Sequence, residues 1–405
     1  MSLRILVHDY SGHPFQLQLS RALAERGHEV LHLYSSDFQT GQGATTVTET
    51  DPPTLSIEPV GIGLQFAKYN PIRRGIHELR FGRVLRRRVK AWQPEVVLSS
   101  NTPLLTQAML LSWVAPHKVP FVFWLQDVYS LLITEALEDR FGKPGAVVGS
   151  LFGWLERRML RMSDGVVAIT EDFGPILRRW KVDRDRIRAI ANWAPLAELP
   201  MVSRHNEWAH EFGVADEFVF LYSGTIGHKH RPDLLLRLAD EIPDATVLVV
   251  SEGLGITYLR DACDKLPRRN LRLLPFQPYE RLPEVLGSGD ALIAVLEPDA
   301  GVYSVPSKVL SYLCAGRPIL ASMPIENLAA RTLVGNEAGK VAAPNDDDAF
   351  IEHGIELFES SELRRRLGKS ARTYAEQTFD IDSIADQFTN ALVDAIAVRT
   401  ARNSY

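Results

Sequence analysis

The chain has 405 residues, of which 45% are hydrophobic and 23% charged, and its net charge is −5. This composition excludes disordered, collagenous and coiled-coil architectures, and there is no run of the roughly 18 apolar residues that a membrane span needs. Cys263 and Cys314 are too few for a disulfide framework or a cysteine-built zinc site, and the N-terminus enters an apolar stretch without the basic region and cleavage site of a signal peptide. The expected setting is a reducing cytoplasm, and at roughly 100–200 residues per domain two or three domains are expected.

Residues 3–8 read as a buried strand, and Ser11, Gly12, His13 and Pro14 as a turn. Leu17, Leu19, Ala22 and Leu23 carry a helical period through 15–26, which Gly27 stops. A strand follows at 30–34. Residues 73–92 read as a basic amphipathic helix. Eight Lys and Arg, among them Arg83, Arg86, Arg87 and Arg88, face the single acid Glu78, while Ile76, Leu79, Phe81, Leu85, Val89 and Trp92 recur at helical spacing. Such a helix suits an anionic membrane surface or an anionic ligand, and equally a solvated face over a core stripe. Short apolar strands at 95–99, 120–125 and 165–169 alternate with helical patterns at 104–112 and 147–162.

The pattern restarts after about residue 195. A strand at 218–222 leads into Ser223-Gly224-Thr225 and a helix from Pro232, and a strand at 245–250 leads into Ser251-Glu252-Gly253. Further strands read at 271–274, 291–296, 318–321 and 340–342, and one long helix at 381–398. Residues 193–217, with Pro195, Pro200, Ser203 and Asn206, read as a linker. This order predicts an α/β protein of two doubly wound, Rossmann-like domains facing a central cleft. The expected divisions are 1–195, 196–380 and a C-terminal helix, 381–405, crossing back to the N-terminal domain. Charge divides between the halves: residues 1–200 carry 24 Lys and Arg against 20 Asp and Glu, whereas 201–405 carry 21 against 30. The acidic total and the lack of a basic–aromatic stacking motif argue against nucleic acid as a partner.

No GxGxxG follows the first strand, no P-loop or GxSxG occurs, and no His, Asp and Glu spacing reads as a metal site. Four strand-end segments remain. Gly301-Val302-Tyr303-Ser304-Val305-Pro306-Ser307-Lys308 opens a helix to Ala315 that Gly316 stops, with Ser307 reading as its cap. Free amides there, with Lys308 beside them, suit a diphosphate. Gly224-Thr225-Ile226-Gly227-His228-Lys229-His230-Arg231 permits close backbone approach and supplies cations. Gly12 lets a substrate approach the first strand, and Gln126 and Asp127 end the strand at 120–125. Each, read by itself, is equally an ordinary cap or surface loop.

Together these segments resemble the family-four glycosyltransferases of the GT-B fold, of the bacterial polysaccharide-assembly kind that acts in colanic-acid or fucosamine transfer. The resemblance spans nearly the whole chain. It rests on "RALAERGHEV" (21–30), "LERRMLRMSDGVVAIT" (155–170), "LYSGTIG" (221–227), "LRLLPFQPYERLPEVLGSGDALIAVL" (271–296), "VPSKVLSYLCAGRPILAS" (305–322) and "EAGKVAAPNDDDAF" (337–350). It implies a retaining, metal-independent hexosyltransferase with no cofactor. The donor is a nucleotide-diphosphate sugar, a UDP-sugar before a GDP-sugar, bound mainly by the C-terminal domain. The acceptor is a lipid-linked sugar or polysaccharide at the N-terminal domain, on the inner face of the cell membrane.

By position, the resemblance implies that Gly224, Thr225, Lys229 and Arg231 form the diphosphate loop. Ser307 and Lys308 lie under the diphosphate, Tyr303 and Ser304 belong with them to the donor-binding set, Phe276 and Gln277 touch the base, Gln126 and Asp127 face the sugar, and Gly12 forms the N-terminal glycine loop. Two Glu that many relatives carry before the Ala-Gly are replaced by Tyr303 and Ser311, leaving Glu297 or Asp299 as substitutes. Lys229, Arg231 and Lys308 would stabilise the departing diphosphate. A covalent route would need a carboxylate near the anomeric carbon, for which Asp127 is the candidate. Two other readings stay open: a nucleotide-sugar 2-epimerase of the same fold, and a non-catalytic nucleotide-sugar-binding partner. A nicotinamide dehydrogenase is disfavoured by the missing glycine fingerprint.

Overall fold

The structure, a computed structural model, describes residues 2–37, 43–64, 71–100, 102–226, 231–296 and 305–403. The chain divides into two compact units, Met1–Ala191 with Ile381–Tyr405, and Asn192–Asp380. Each is a parallel α/β sheet of the doubly wound kind.

The first unit runs β1 (Arg4–Asp9), α1 (Pro14–Glu25), β2 (Glu29–Ser35), β3 (Leu55–Val60), α2 (Pro71–Trp92), β4 (Val96–Ser100), α3 (Leu104–Val114), β5 (Phe121–Leu125), α4 (Tyr129–Phe141), α5 (Lys143–Met162), β6 (Gly165–Ala168), α6 (Gly174–Arg179) and β7 (Ile187–Ala189). Its strand order is β3-β2-β1-β4-β5-β6-β7. Ile5 of β1 lies opposite Val30 on one side and Val96 on the other. β4 and β5 are buried at every position, as a parallel strand covered on both faces requires, and this explains the unbroken apolar run of β5 and the Val96-Val97-Leu98 start of β4. α3 packs against both α2 and α5, so these three share one helical layer.

The second unit runs α7 (Glu207–Glu211), β8 (Phe218–Ser223), α8 (Pro232–Glu241), β9 (Ala245–Val250), α9 (Leu254–Lys265), β10 (Leu271–Leu274), α10 (Leu282–Gly287), β11 (Ala291–Val295), α11 (Ser307–Ala315), β12 (Ile319–Ser322), α12 (Leu328–Gly335), β13 (Gly339–Ala342), α13 (Asp347–Glu359) and α14 (Ser361–Thr378). Its order is β10-β9-β8-β11-β12-β13. Phe220, Tyr222, Val247, Val249, Ile293 and Phe350 are among the buried residues of its core. The chain then returns to the first unit as α15 (Ile381–Asn403), which packs against α1, with Phe388 4.5 Å from the Trp124 ring.

The stretch expected to be a linker, 193–217, is built into the second unit. Trp208 is fully buried, Arg204 pairs with Asp290 at 2.8 Å, and Asn206 Nδ2 donates to the carbonyls of Ser203 and Glu284. Arg204 and Asn206 thus serve as partners for backbone that would otherwise be unpaired.

Candidate functional site

In a doubly wound sheet, the loops after two neighbouring strands diverge where the strand order reverses, and ligands collect there. In the second unit that point lies between β8 and β11. β8 ends in Ser223 and turns at Gly224, whose φ of +121° favours a residue without Cβ. The turn is pinned from three sides. Tyr312 Oη on α11 accepts from the Ser223 amide and donates to the Ser223 carbonyl, both at 2.9 Å. Tyr222 Oη donates to the Thr225 carbonyl at 3.0 Å. The Ile226 amide donates to the Glu252 carbonyl, and the Gly255 amide donates back to the Ile226 carbonyl. A Cβ at Gly253 would stand 2.8 Å from that Ile226 oxygen, so the loop after β9 must be glycine to let the two backbones meet.

Into this turn projects Lys308 from the first turn of α11. Its ammonium lies 3.7 Å from the centroid of the Tyr222 ring, and a Cβ on Gly224 would sit 3.4 Å from Nζ. The Nζ atom is shielded from solvent and, among the described residues, has no hydrogen-bond partner. Burial lowers its pKa from 10.5 to about 7. An amine left unpaired at the start of a helix, beside a glycine turn, is a receptor for an anion: the free amides, the dipole and the cation all favour negative charge there.

The other residues expected at the donor are distributed unevenly. Ser307 is exposed and is the first helical residue of α11. The capping position is Pro306, which has no side-chain oxygen, so Ser307 is not the cap expected for it. Thr225 is exposed beside Gly224. Arg231 is not a free cation. It adopts a left-handed conformation (φ +44°) ahead of α8, and four of its donor hydrogens are taken: two by the Asp347 carboxylate (2.7 and 2.8 Å), one by Asp233 (2.7 Å) and one by the Pro344 carbonyl (2.8 Å). Its role here is to clamp the loop after β8 to the start of α13, and these carboxylates raise its pKa further. Phe276 and Gln277 follow β10, two strands from β8. The Phe276 ring is exposed, whereas Gln277 accepts from Trp208 Nε1 at 3.1 Å and so is held to its own unit's core. Lys229, Glu297, Asp299, Tyr303 and Ser304 lie outside the described residues.

The first unit has its own reversal between β1 and β4. Gly12 turns there with φ +70°, and Asp9, fully buried, organises the turn. Its carboxylate accepts from the amides of Ser11 (3.0 Å) and His13 (2.5 Å). The Gln16 amide, with its NH2 toward Asp9, adds donors at 2.7 and 2.5 Å. Burial alone would push the Asp9 carboxyl up, but His13 and these donors bring it below its ordinary value. Burial likewise opposes charge on His13, yet the carboxylates of Asp9 and, more weakly, Asp127 raise its pKa. The structure thus gathers the Gly12 turn and Asp127 into one electrostatic cluster. Gln126 is buried at the end of β5. Behind them Glu156 of α5 is fully buried, and burial lifts its carboxyl to about 7, while the Ser130 amide donates to it at 3.1 Å. Among the described residues no three metal-ligating side chains cluster.

Arg83, Arg86 and Arg87 are exposed on α2. Arg88 does not stand with them. Its guanidinium holds Glu58 through two bonds of 2.6 Å and so fastens α2 to β3.

Two family models match in tandem: the glycosyl transferase 4-like domain over residues 13–193 and the glycosyl transferases group 1 domain over 206–374. The chain belongs to the family-four glycosyltransferases of the GT-B fold. It is 25% identical over 252 residues to WcaI of Escherichia coli K12, a protein named as a colanic acid biosynthesis glycosyl transferase; the match spans 61% of each protein. Among solved structures, sucrose-phosphate synthase from Thermosynechococcus elongatus superposes with a TM-score of 0.75 at 16% identity, over 97% of this chain and 99% of that one. Anabaena HepE, in complex with UDP and glucose, gives 0.72 at 15% identity over 96% and 99%. At such identities these likenesses concern the fold.

Sequence reasoning missed Tyr222, Tyr312 and Asp9. The signals were present but faint: Tyr312 lies one helical turn after Lys308, Tyr222 lies two residues before the Gly224 turn, and Asp9 is an acid that ends a strand with the apolar centre Ile5-Leu6-Val7.

Proposed function

We propose that this glycosyltransferase takes a sugar from a nucleotide-diphosphate donor held by the second unit and transfers it, with retention and without a metal, to a lipid-linked sugar or growing polysaccharide. The observation that carries the donor half is the desolvated, unpaired Lys308 amine against Gly224. An enzyme that sheds a nucleoside diphosphate must stabilise the charge gathering on it, and a preorganised cation in a dry site does so at little reorganisation cost. Here Lys308 and the amides of α11 fill the place that a divalent ion would otherwise take. The exposed Phe276 ring offers a face on which a base can stack. UDP is the preferred nucleotide, since structures of the HepE relative contain UDP and UDP-glucose.

The first unit supplies the acceptor side through the Gly12 turn and the Asp127 cluster. The leaving diphosphate takes the acceptor proton, so no enzyme carboxylate is required as a nucleophile. The basic α2 and the kinship with a polysaccharide-assembly enzyme support an acceptor at an anionic membrane on the cytoplasmic side.

Thermal melts with UDP, GDP, dTDP and ADP test the donor. UDP at a hundred times its dissociation constant should stabilise the protein by about 2.7 kcal/mol, and the shift should survive EDTA. No shift with any nucleotide would remove the donor reading, and a shift abolished by EDTA would remove metal independence.

A further inference from the structure

The face of α5 that does not pack on the protein is apolar. Val147, Leu151 and Trp154 lie one turn apart on one stripe and are 64%, 62% and 54% exposed, with Val148 and the neighbouring Phe141 also exposed. Residues of this type normally fill a core, and a contiguous exposed set marks an interaction surface. The opposite face explains why they point outward. α5 meets α4 through glycines: a Cβ at Gly145 would stand 1.9 Å from the Leu137 carbonyl oxygen, and one at Gly149 would stand 2.6 Å from Thr134 Cα. Backbones this close lock the two helices into a rigid hairpin, and among the described residues nothing covers the apolar stripe.

The charge around the stripe selects the occupant. Arg158 lies over the Trp154 ring at 5.6 Å, and Arg140 and Lys143 flank the hairpin turn. α3 joins α5 to α2 in the same helical layer, and α2 exposes Ile72 and Ile76 followed by Arg80, Arg83, Arg86, Arg87 and Lys90. Among the described residues none of those five cations is in an ion pair. Apolar wedges rimmed by cations match a bilayer surface, where anionic headgroups meet hydrocarbon. We propose that the α4–α5 hairpin inserts its Val147, Leu151 and Trp154 edge into an anionic leaflet, with α2 resting on the headgroups. This surface brings the first unit to a membrane-bound acceptor and so rests on the acceptor reading above.

Flotation with phosphatidylcholine vesicles containing about 30 mol% phosphatidylglycerol tests it. The wild type should float. Leu151→Glu should lower the bound fraction about tenfold, because a charge must then enter the hydrocarbon edge. Val393→Glu, at an exposed apolar site on α15, should float like the wild type. Arg86→Glu with Arg87→Glu should lose the preference for anionic over neutral vesicles. Brominated lipid should quench the wild-type fluorescence, and Trp154→Phe should float while losing that quenching. Melting temperatures report whether each variant is folded.

Flotation of Leu151→Glu equal to the wild type, or quenching unchanged in Trp154→Phe, would overturn the proposal. A wild-type dimer that Leu151→Glu dissociates, with neither form floating, would assign the face to a second copy instead. The nucleotide-induced melting shift is read separately. Its failure would count against the transferase reading and leave the membrane surface standing.

Discussion

Lys308 decides most at the residue scale. Transferring an amine from water into this site disfavours its charged form, so the free protein holds it near half-protonated at neutral pH, with a pKa of about 7 against 10.5 in the unfolded chain. Between those values the unfolded chain binds more protons than the folded one. Stability therefore rises with pH across the window from about 7 to 10.5 and is lost as pH falls. A diphosphate reverses the balance, because its charge favours the ammonium. Below pH 7 the amine is already charged. Above it, binding must draw in a proton, so nucleotide affinity should fall as pH rises toward 9, by at most about tenfold per unit. Titration calorimetry at several pH values in buffers of different ionisation enthalpy checks both the slope and the proton uptake. Lys308→Met, close in shape, should abolish both while making the free protein more stable by about 2 kcal/mol at pH 7. An unchanged pH slope in that variant would take Lys308 out of the site. The helix start that holds Lys308 was legible in the sequence, from Pro306 before it and Gly316 after it. The missing partner was not, because it depends on Tyr222 and Gly224, which only the sheet brings alongside.

The elements show the same division between pattern and packing. β5, β11 and α11 were legible because each carries an apolar run or period bounded by a turn residue. β3 was missed: it is an edge strand with a mixed burial pattern and Pro59 within it, so only its ends are buried. α4 was missed because its partner surface is a strip of glycines on α5. A helix that packs on backbone needs no broad apolar stripe of its own, and Ser130 is the one residue along it that is buried. That packing makes a prediction for the hairpin. Gly149→Val would drive a branched side chain to within 2.6 Å of Thr134 Cα, a backbone atom that cannot step aside. The loss should be about 2 kcal/mol or more, since overpacking at a backbone contact cannot be relieved by a rotamer change. Chemical denaturation measures it, and hydrogen exchange should show the loss spreading from α5 into α4. A loss confined to a few tenths of a kcal/mol would mean that the hairpin opens more easily than its contacts imply.

For the whole molecule, the chain's path matters as much as its sheets. The first unit is completed by the last residues of the chain, and a single buried acid joins them. Asp164, fully shielded at the start of β6, accepts from Arg399 Nη2 at 2.7 Å and Nε at 3.0 Å, from Arg402 Nη1 at 2.9 Å, and from the Phe121 amide at 3.0 Å. It therefore ties α15 to the edge between β5 and β6, beside the apolar contact of Phe388 with Trp124. Removing one member of such a buried pair strands the other charge, which typically costs about 3–5 kcal/mol. Asp164→Ala should cost toward the lower end, because Arg402 is partly exposed and can be resolvated, whereas Arg399 is 12% exposed and cannot. Asp164→Asn keeps an acceptor for the Phe121 amide and should lose less. Phe388→Ala, which removes packing but no charge, should lose about 3–5 kcal/mol by cavity formation. If Asp164→Ala melts like the wild type, Arg399 and Arg402 carry no weight and α15 is held by its apolar face and by the exposed pairs of Asp382 and Asp386 with Arg26 and of Asp394 with Arg188. If it instead unfolds the first unit while the UDP-induced shift persists in the second, the C-terminal helix is the element on which the acceptor side depends.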